Sequence, residues 1–172
     1  ELAATVHIHY LAGNTVERVY VALCGGRFPD ALGARERIAR DPRERKRFAA
    51  FPETDTAGRH AVTHARLAAR LGPASLVECR LETGRTHQIR VHLAHHGFPL
   101  VGDPVYGRAH APAGTPPALK AVAERTKRQM LHARDLVFTH PRTGDRRRFS
   151  SPVPPDMDAV LEAFRRAAGD TA

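Results

Sequence analysis

The chain has 172 residues and a formal net charge of +9, from 27 Lys and Arg against 18 Asp and Glu. That length fits one domain with a single core, and 42% hydrophobic with 26% charged residues describes an ordinary soluble protein. No run approaches the 18 apolar residues of a membrane span, so the charge predicts a polyanionic partner, RNA or DNA ahead of an acidic membrane surface. Arginine and alanine bias is the other source of such a charge, since Lys46, Lys120 and Lys127 are the only lysines.

In chain order, residues 6–10 read as a weak strand or a helix end, broken at Gly13-Asn14. Residues 16–23 alternate as a strand, with Val19, Val21 and Leu23 on one side and Arg18, Tyr20 and Ala22 on the other. Tyr20 therefore points away from the more apolar side, as an ordinary half-buried strand tyrosine also would. Residues 34–47 are the densest charge run, interrupted at Pro42, and read either as a phosphate-backbone patch or as a solvated connection. Residues 60–68 and 75–82 predict neighbouring antiparallel strands turning at Gly72-Pro73. Val77, Cys79 and Leu81 face one way there, and Glu78, Arg80 and Glu82 the other. Cys24 and Cys79 lack CxxC spacing and read as free thiols.

Gly84 permits a sharp turn, and Thr86 is placed to cap a helix running to about His96, with Ile89 and Leu93 as its apolar seam. Gly97 and Pro99 end it. Residues 108–118 read as a loop and 118–126 as a short helix. Residues 131–140 and 146–150 read as a hairpin, and a final helix carries Met157, Val160, Leu161 and Phe164 on one face.

His87, His92, His95 and His96 invite a metal reading, but one helix aligns only His92 with His96, and HExxH is absent, so no metal site is expected. No GxSxG elbow and no dinucleotide-binding glycine pattern is present. The forks of Arg85 and Arg90 suit phosphate or a carboxylate, in a site or in a structural ion pair.

Residues 81–107, LETGRTHQIRVHLAHHGFPLVGDPVYG, closely resemble the signature region of the RluA/RluD-type RNA pseudouridine synthases. VERVYVALCGG, RERIARDPRERKRFAAF, AVTHARL with SLVECRLETGRTHQIR, and RQMLHARDLVFTHPRTGDRRRFSSPVPPDM keep the family order, so the resemblance covers about residues 14–167 of a domain spanning 1–172. It implies an α+β fold, a mixed, largely antiparallel sheet with flanking helices. It also implies cofactor-free isomerisation of uridine in structured rRNA or tRNA, and a cytoplasmic protein without membrane attachment. Tyr20 resembles the tyrosine that stacks near the target base, and Arg90 the arginine paired with the catalytic aspartate. Arg85, Thr86, His87, Gln88, His92, Arg128 and His132 are implied to line the cleft or touch RNA. Gly84, Gly102, Asp103 and Gly107 are implied to shape turns. The family aspartate precedes the tyrosine strand, whereas the 19 residues before Tyr20 contain no aspartate. The chain, which opens at Glu1, is therefore expected to be an N-terminally truncated, inactive fragment of a synthase, or a relative that binds RNA without chemistry.

Overall fold

The computed structural model describes residues 16–44, 46–107 and 115–169. Seven strands make one sheet: β1 (Glu17–Gly25), β2 (Ala31–Arg40), β3 (Phe48–Phe51), β4 (Arg59–Leu71), β5 (Ala74–Leu81), β6 (Leu131–Thr139) and β7 (Arg146–Ser150). Their order is β3-β2-β4-β5-β1-β6-β7, and every ladder is antiparallel. The fold is α+β, as the resemblance implied, with a described sheet that is antiparallel rather than mixed. Helices α1 (Gln88–His95), α2 (Pro117–Arg125) and α3 (Pro155–Gly169) cover its faces. None of them is long and apolar enough to cross a membrane. Residues 6–10 and most of the 108–118 loop lie outside the described residues.

β1 is central, and its alternation serves two cores. Val21 and Leu23 enter one core with Leu119 of α2, Met130 and the α3 stripe of Met157, Leu161 and Phe164. Burying each of those large side chains contributes roughly 1.5–3 kcal/mol, offset by the entropy of ordering the chain. Ala22 and Cys24 face the other core, with Cys79, Val77 and the α1 seam of Ile89 and Leu93. Both cysteines are free, and burial pushes each thiol up to about 12, so they act as packing groups.

The β4–β5 hairpin turns at Gly72-Pro73, where Gly72 takes φ +62°, the positive first angle that a two-residue type II′ turn requires. The charged run is neither a helix nor a solvated connection over most of its length. Ala34 and Ile38 are buried from β2, and the carboxylate of Glu36 points inward between them, held by histidines of α1. Arg37 donates to the carbonyls of Ala57 and Gly58, while Arg47 lies over the Tyr106 ring, so part of this positive charge is spent on packing. Thr86 does not cap α1. His87 occupies that position with no side-chain cap. The other end is a Schellman stop, with Gly97 N–H on Ala94 and Phe98 N–H on Leu93.

Candidate functional site

The turn between β5 and α1 is fixed by one amide. Gln88 Oε1 accepts from the Arg85 backbone N–H at 2.9 Å and from the Thr83 hydroxyl at 2.7 Å, while its Nε2 donates to the Val62 carbonyl and Thr63 Oγ1 at 2.9 and 3.0 Å. An N–H can only donate and a carbonyl only accept, so the amide orientation follows from the network. Thr63 Oγ1 also meets His92 Nδ1 at 2.9 Å. His92 Nε2 faces Glu36 at 3.5 Å, and Glu36 also meets His96 at 2.9 Å. Burial, with His96 and His95 nearby, holds the His92 pKa down at about 4. Among the described residues no group of His, Cys, Asp and Glu is arranged to hold a metal ion.

The second knot lies on the opposite side of α1. Both guanidinium bonds of Arg90 to Asp103 measure 2.8 Å, and the carboxylate also accepts the backbone N–H groups of Val105 and Tyr106. Burial would raise the Asp103 pKa, but Arg90 and the two N–H groups outweigh it and hold the carboxyl below its ordinary value. The Tyr106 ring packs against the Arg90 guanidinium at 4.9 Å. Its hydroxyl accepts the Phe48 N–H at 3.0 Å and shares a hydrogen bond with His87 Nδ1 at 2.9 Å. His87 has φ +57°, the only positive φ outside glycine among the described residues. A left-handed histidine costs about 1 kcal/mol, which these contacts hold in place.

Tyr20 lies elsewhere, on the face of β1 shared with Ala22 and Cys24. With Arg18, Ala133, Arg134, Asp135, Leu136, Phe149, Ser150 and Ser151 it lines a groove of about 280 Å³. The Arg18 guanidinium reaches from this groove to the β5–α1 turn, where a Cβ on Gly84 would sit 2.8 Å from its Nη1. A side chain at Gly84, which has no positive φ, would displace the end of Arg18. Beside Gly84, Arg85 spends its Nε on the His60 carbonyl at 2.9 Å, and its two amino groups make no hydrogen bond to the described residues. Asp135 is committed. Ser150 at 2.6 Å and Arg134 at 2.8 Å, with Arg148 at 3.1 Å, occupy its oxygens and hold its carboxyl well below the usual range.

Residues 3–95 match the profile of the family described as RNA pseudouridylate synthase. The chain belongs to that family. It is 44% identical over 164 residues to a Xanthomonas campestris protein named ribosomal large subunit pseudouridine synthase D, covering 95% of this chain and 48% of that protein. It is 44% identical over 155 residues to an uncharacterized RNA pseudouridine synthase of Chloroflexus aurantiacus, covering 89% of this chain and 44% of the relative. It thus spans about half the length of these relatives. Human RNA pseudouridylate synthase domain containing 1 superposes with a TM-score of 0.70 at 25% identity, over 97% of this chain and 71% of that one.

Within this synthase-family fold, the residues implied for the cleft divide into three groups. Tyr20, Arg85 and exposed Thr86 present surface, and half-buried His87 stands beside them. Gln88 at 3% exposure and His92 at 0% are internal, so they can position the cleft but cannot touch RNA. Arg128 clamps α3 through Asp156 at 2.6 and 2.8 Å, and His132 pairs opposite Val21, on the face away from Tyr20. Arg90, read as the partner of the catalytic aspartate, is already doubly bonded to Asp103. Gly102 has φ +72°, and a Cβ there would sit 2.3 Å from the Arg128 carbonyl, while one on Gly107 would meet the Asp103 carbonyl at 2.7 Å. Sequence reading missed Arg18, Arg134 and Phe149. Arg18 could have been found by its alternation with Tyr20, but Phe149 shows only as one aromatic in an arginine run.

Proposed function

We propose that the protein isomerises uridine to pseudouridine in structured RNA, with the Tyr20 groove as the place where the target base is held. The names of its relatives make large-subunit ribosomal RNA the substrate to test first. The observation that carries the reading is that Arg18, which lines the groove with the Tyr20 ring, reaches Gly84 in the β5–α1 turn, where the neighbouring Arg85 keeps two amino groups without a hydrogen bond to the described residues. A uridine inside folded RNA must be swung out to be reached, and an aromatic face with flanking arginines suits an extruded base and its phosphate. In the reaction the C1′–N1 bond breaks and a C1′–C5 bond forms. The C5 proton leaves and N1 ends protonated, so neither oxidant nor cofactor is consumed. Tyr20, whose hydroxyl makes no hydrogen bond to the described residues, stacks on the base and is placed to assist loss of the C5 proton. Arg85 holds the phosphate or the attacking carboxylate. Arg90 acts at a distance, by keeping the residue 100–107 loop against α1.

Among the described residues the groove offers no free carboxylate, since its Asp135 is held by three partners, and Asp103 elsewhere is held by Arg90. That observation supports the second reading, an RNA-binding unit without chemistry of its own. Tritium release from C5-labelled uridine in bulk ribosomal and transfer RNA separates them, comparing this chain with a form that includes any upstream coding sequence. Release only by the longer form assigns the carboxylate to residues outside this chain. Release by this chain alone assigns it to an internal group, and release by neither favours binding without isomerisation.

A further inference from the structure

Among the described residues Phe149 is the one large hydrophobic side chain that is strongly exposed, at 53%. It pairs with Leu136 of β6, which pairs in turn with Arg18, so its ring stands on the same sheet face as Tyr20 and lines the same groove. One side of that ring lies almost parallel to Phe138, with centroids 5.9 Å apart and planes at 13°, and Phe138 is itself buried. The aromatic plane is therefore held from beneath and open above. Two strand spacings and a two-residue offset along β1 separate it from Tyr20, roughly 12 Å across the groove.

The surroundings indicate what could lie on it. β7 is an edge strand that reads Arg146-Arg147-Arg148-Phe149, and all three arginines are exposed. Each is held by an acid, Glu17, Asp145 or Asp135, while Arg134 divides between Asp135 and Glu78 and Glu78 also holds Arg80, so five guanidinium groups share four carboxylates here. A purely apolar partner would leave these charges stranded. A single-stranded nucleic acid supplies both a flat base for the ring and phosphates for the arginines.

We propose that Phe149 is a stacking platform for an unpaired base of the RNA near the uridine held at Tyr20, with Arg147, two residues away on the same face of β7, on the adjoining phosphate. This rests on the reading of the Tyr20 groove as the uridine site. It adds a second base subsite, which would make recognition depend on a flanking unpaired nucleotide.

The chain contains no tryptophan, so Phe149→Trp places a single fluorescent reporter at the position. The probe is an RNA hairpin with a uridine-containing loop, titrated at fixed salt, beside the same hairpin with abasic sites in its loop. Stacking predicts quenching by the intact loop and little by the abasic one. It also predicts binding at least about fivefold weaker for Phe149→Leu and Phe149→Ala, with Phe149→Tyr near wild type. Equal binding by a Leu variant of unchanged unfolding midpoint, or an unquenched tryptophan when wild type binds, would overturn the platform and leave the uridine reading standing. The face would then belong to a protein contact. Absence of salt-dependent binding by wild type would overturn both.

Discussion

The loop around Asp103 and the groove around Tyr20 are built from similar residues, arginines, an aspartate and an aromatic ring, yet they are organised in opposite ways. In the Asp103 knot, Arg90, Tyr106 and His87 are bonded to one another, and the pair of charges is nearly withdrawn from solvent, at 10% and 0% exposure. In the groove, the Tyr20 hydroxyl makes no hydrogen bond to the described residues and one side of Phe149 is open, and at the β5–α1 turn Arg85 keeps two amino groups. The density of unusual residues in LETGRTHQIRVHLAHHGFPLVGDPVYG thus reflects rigidity as much as contact. Internal saturation positions the turn, and the surface that can meet a substrate lies next to it, on strands whose sequence is plainer.

The contrast breaks most visibly if Asp103 is removed. Asp103→Ala leaves the Arg90 charge buried without its partner, and is expected to cost about 3–5 kcal/mol in a denaturant titration. Unfolding no more easily than wild type would show that the knot is dispensable. The polar chain behind α1 gives the next effect. His92 has a pKa of about 4 in the fold against an ordinary 6.5, so the unfolded state takes up a proton that the folded state refuses. Stability is then full above pH 6.5 and falls as pH drops toward 4, by about 3 kcal/mol. Denaturant midpoints at pH 7.5 and 4.5 measure that slope, and His92→Gln should flatten it. An unchanged slope in that variant would mean that another group carries the acid sensitivity. The smallest effect belongs to the open face, where Phe149→Leu should shift stability by no more than about 0.5 kcal/mol, read as a thermal midpoint. A larger loss would place Phe149 with the packed region and erase the contrast.

Much of the sheet was legible because strand signals are local. Val77, Cys79 and Leu81 alternate against Glu78 and Arg80, and Gly72-Pro73 states its own turn. The strand at residues 31–40 was not legible for an equally physical reason. Its inward face includes Glu36, which becomes an interior residue only because His92 and His96, some 60 positions later, stand over it. Thr86 fits a capping pattern, but the turn is governed by Gln88 reaching back to Arg85 and across to Val62, which no helix-start rule contains. In the site, family resemblance brought out Tyr20 and the GRTHQIR turn. It could not show that Arg90 is committed to Asp103, because the pattern of a motif does not say which of its charges are neutralised. Phe149 was hidden by its neighbours, since three arginines and a phenylalanine read as a solvated edge.

The position of β1 bears on how the chain reaches this state. β1 precedes the other six strands in the chain yet occupies an interior place in the sheet, with β5 on one side and β6 on the other. Glu17 closes on Val137 across more than a hundred residues. The β4–β5 hairpin can form as soon as it is made, whereas β1 waits for partners that leave the ribosome much later. Until β5 and β6 have emerged, the two edges of VYVALC that they cover in the fold are open to pairing with other strands.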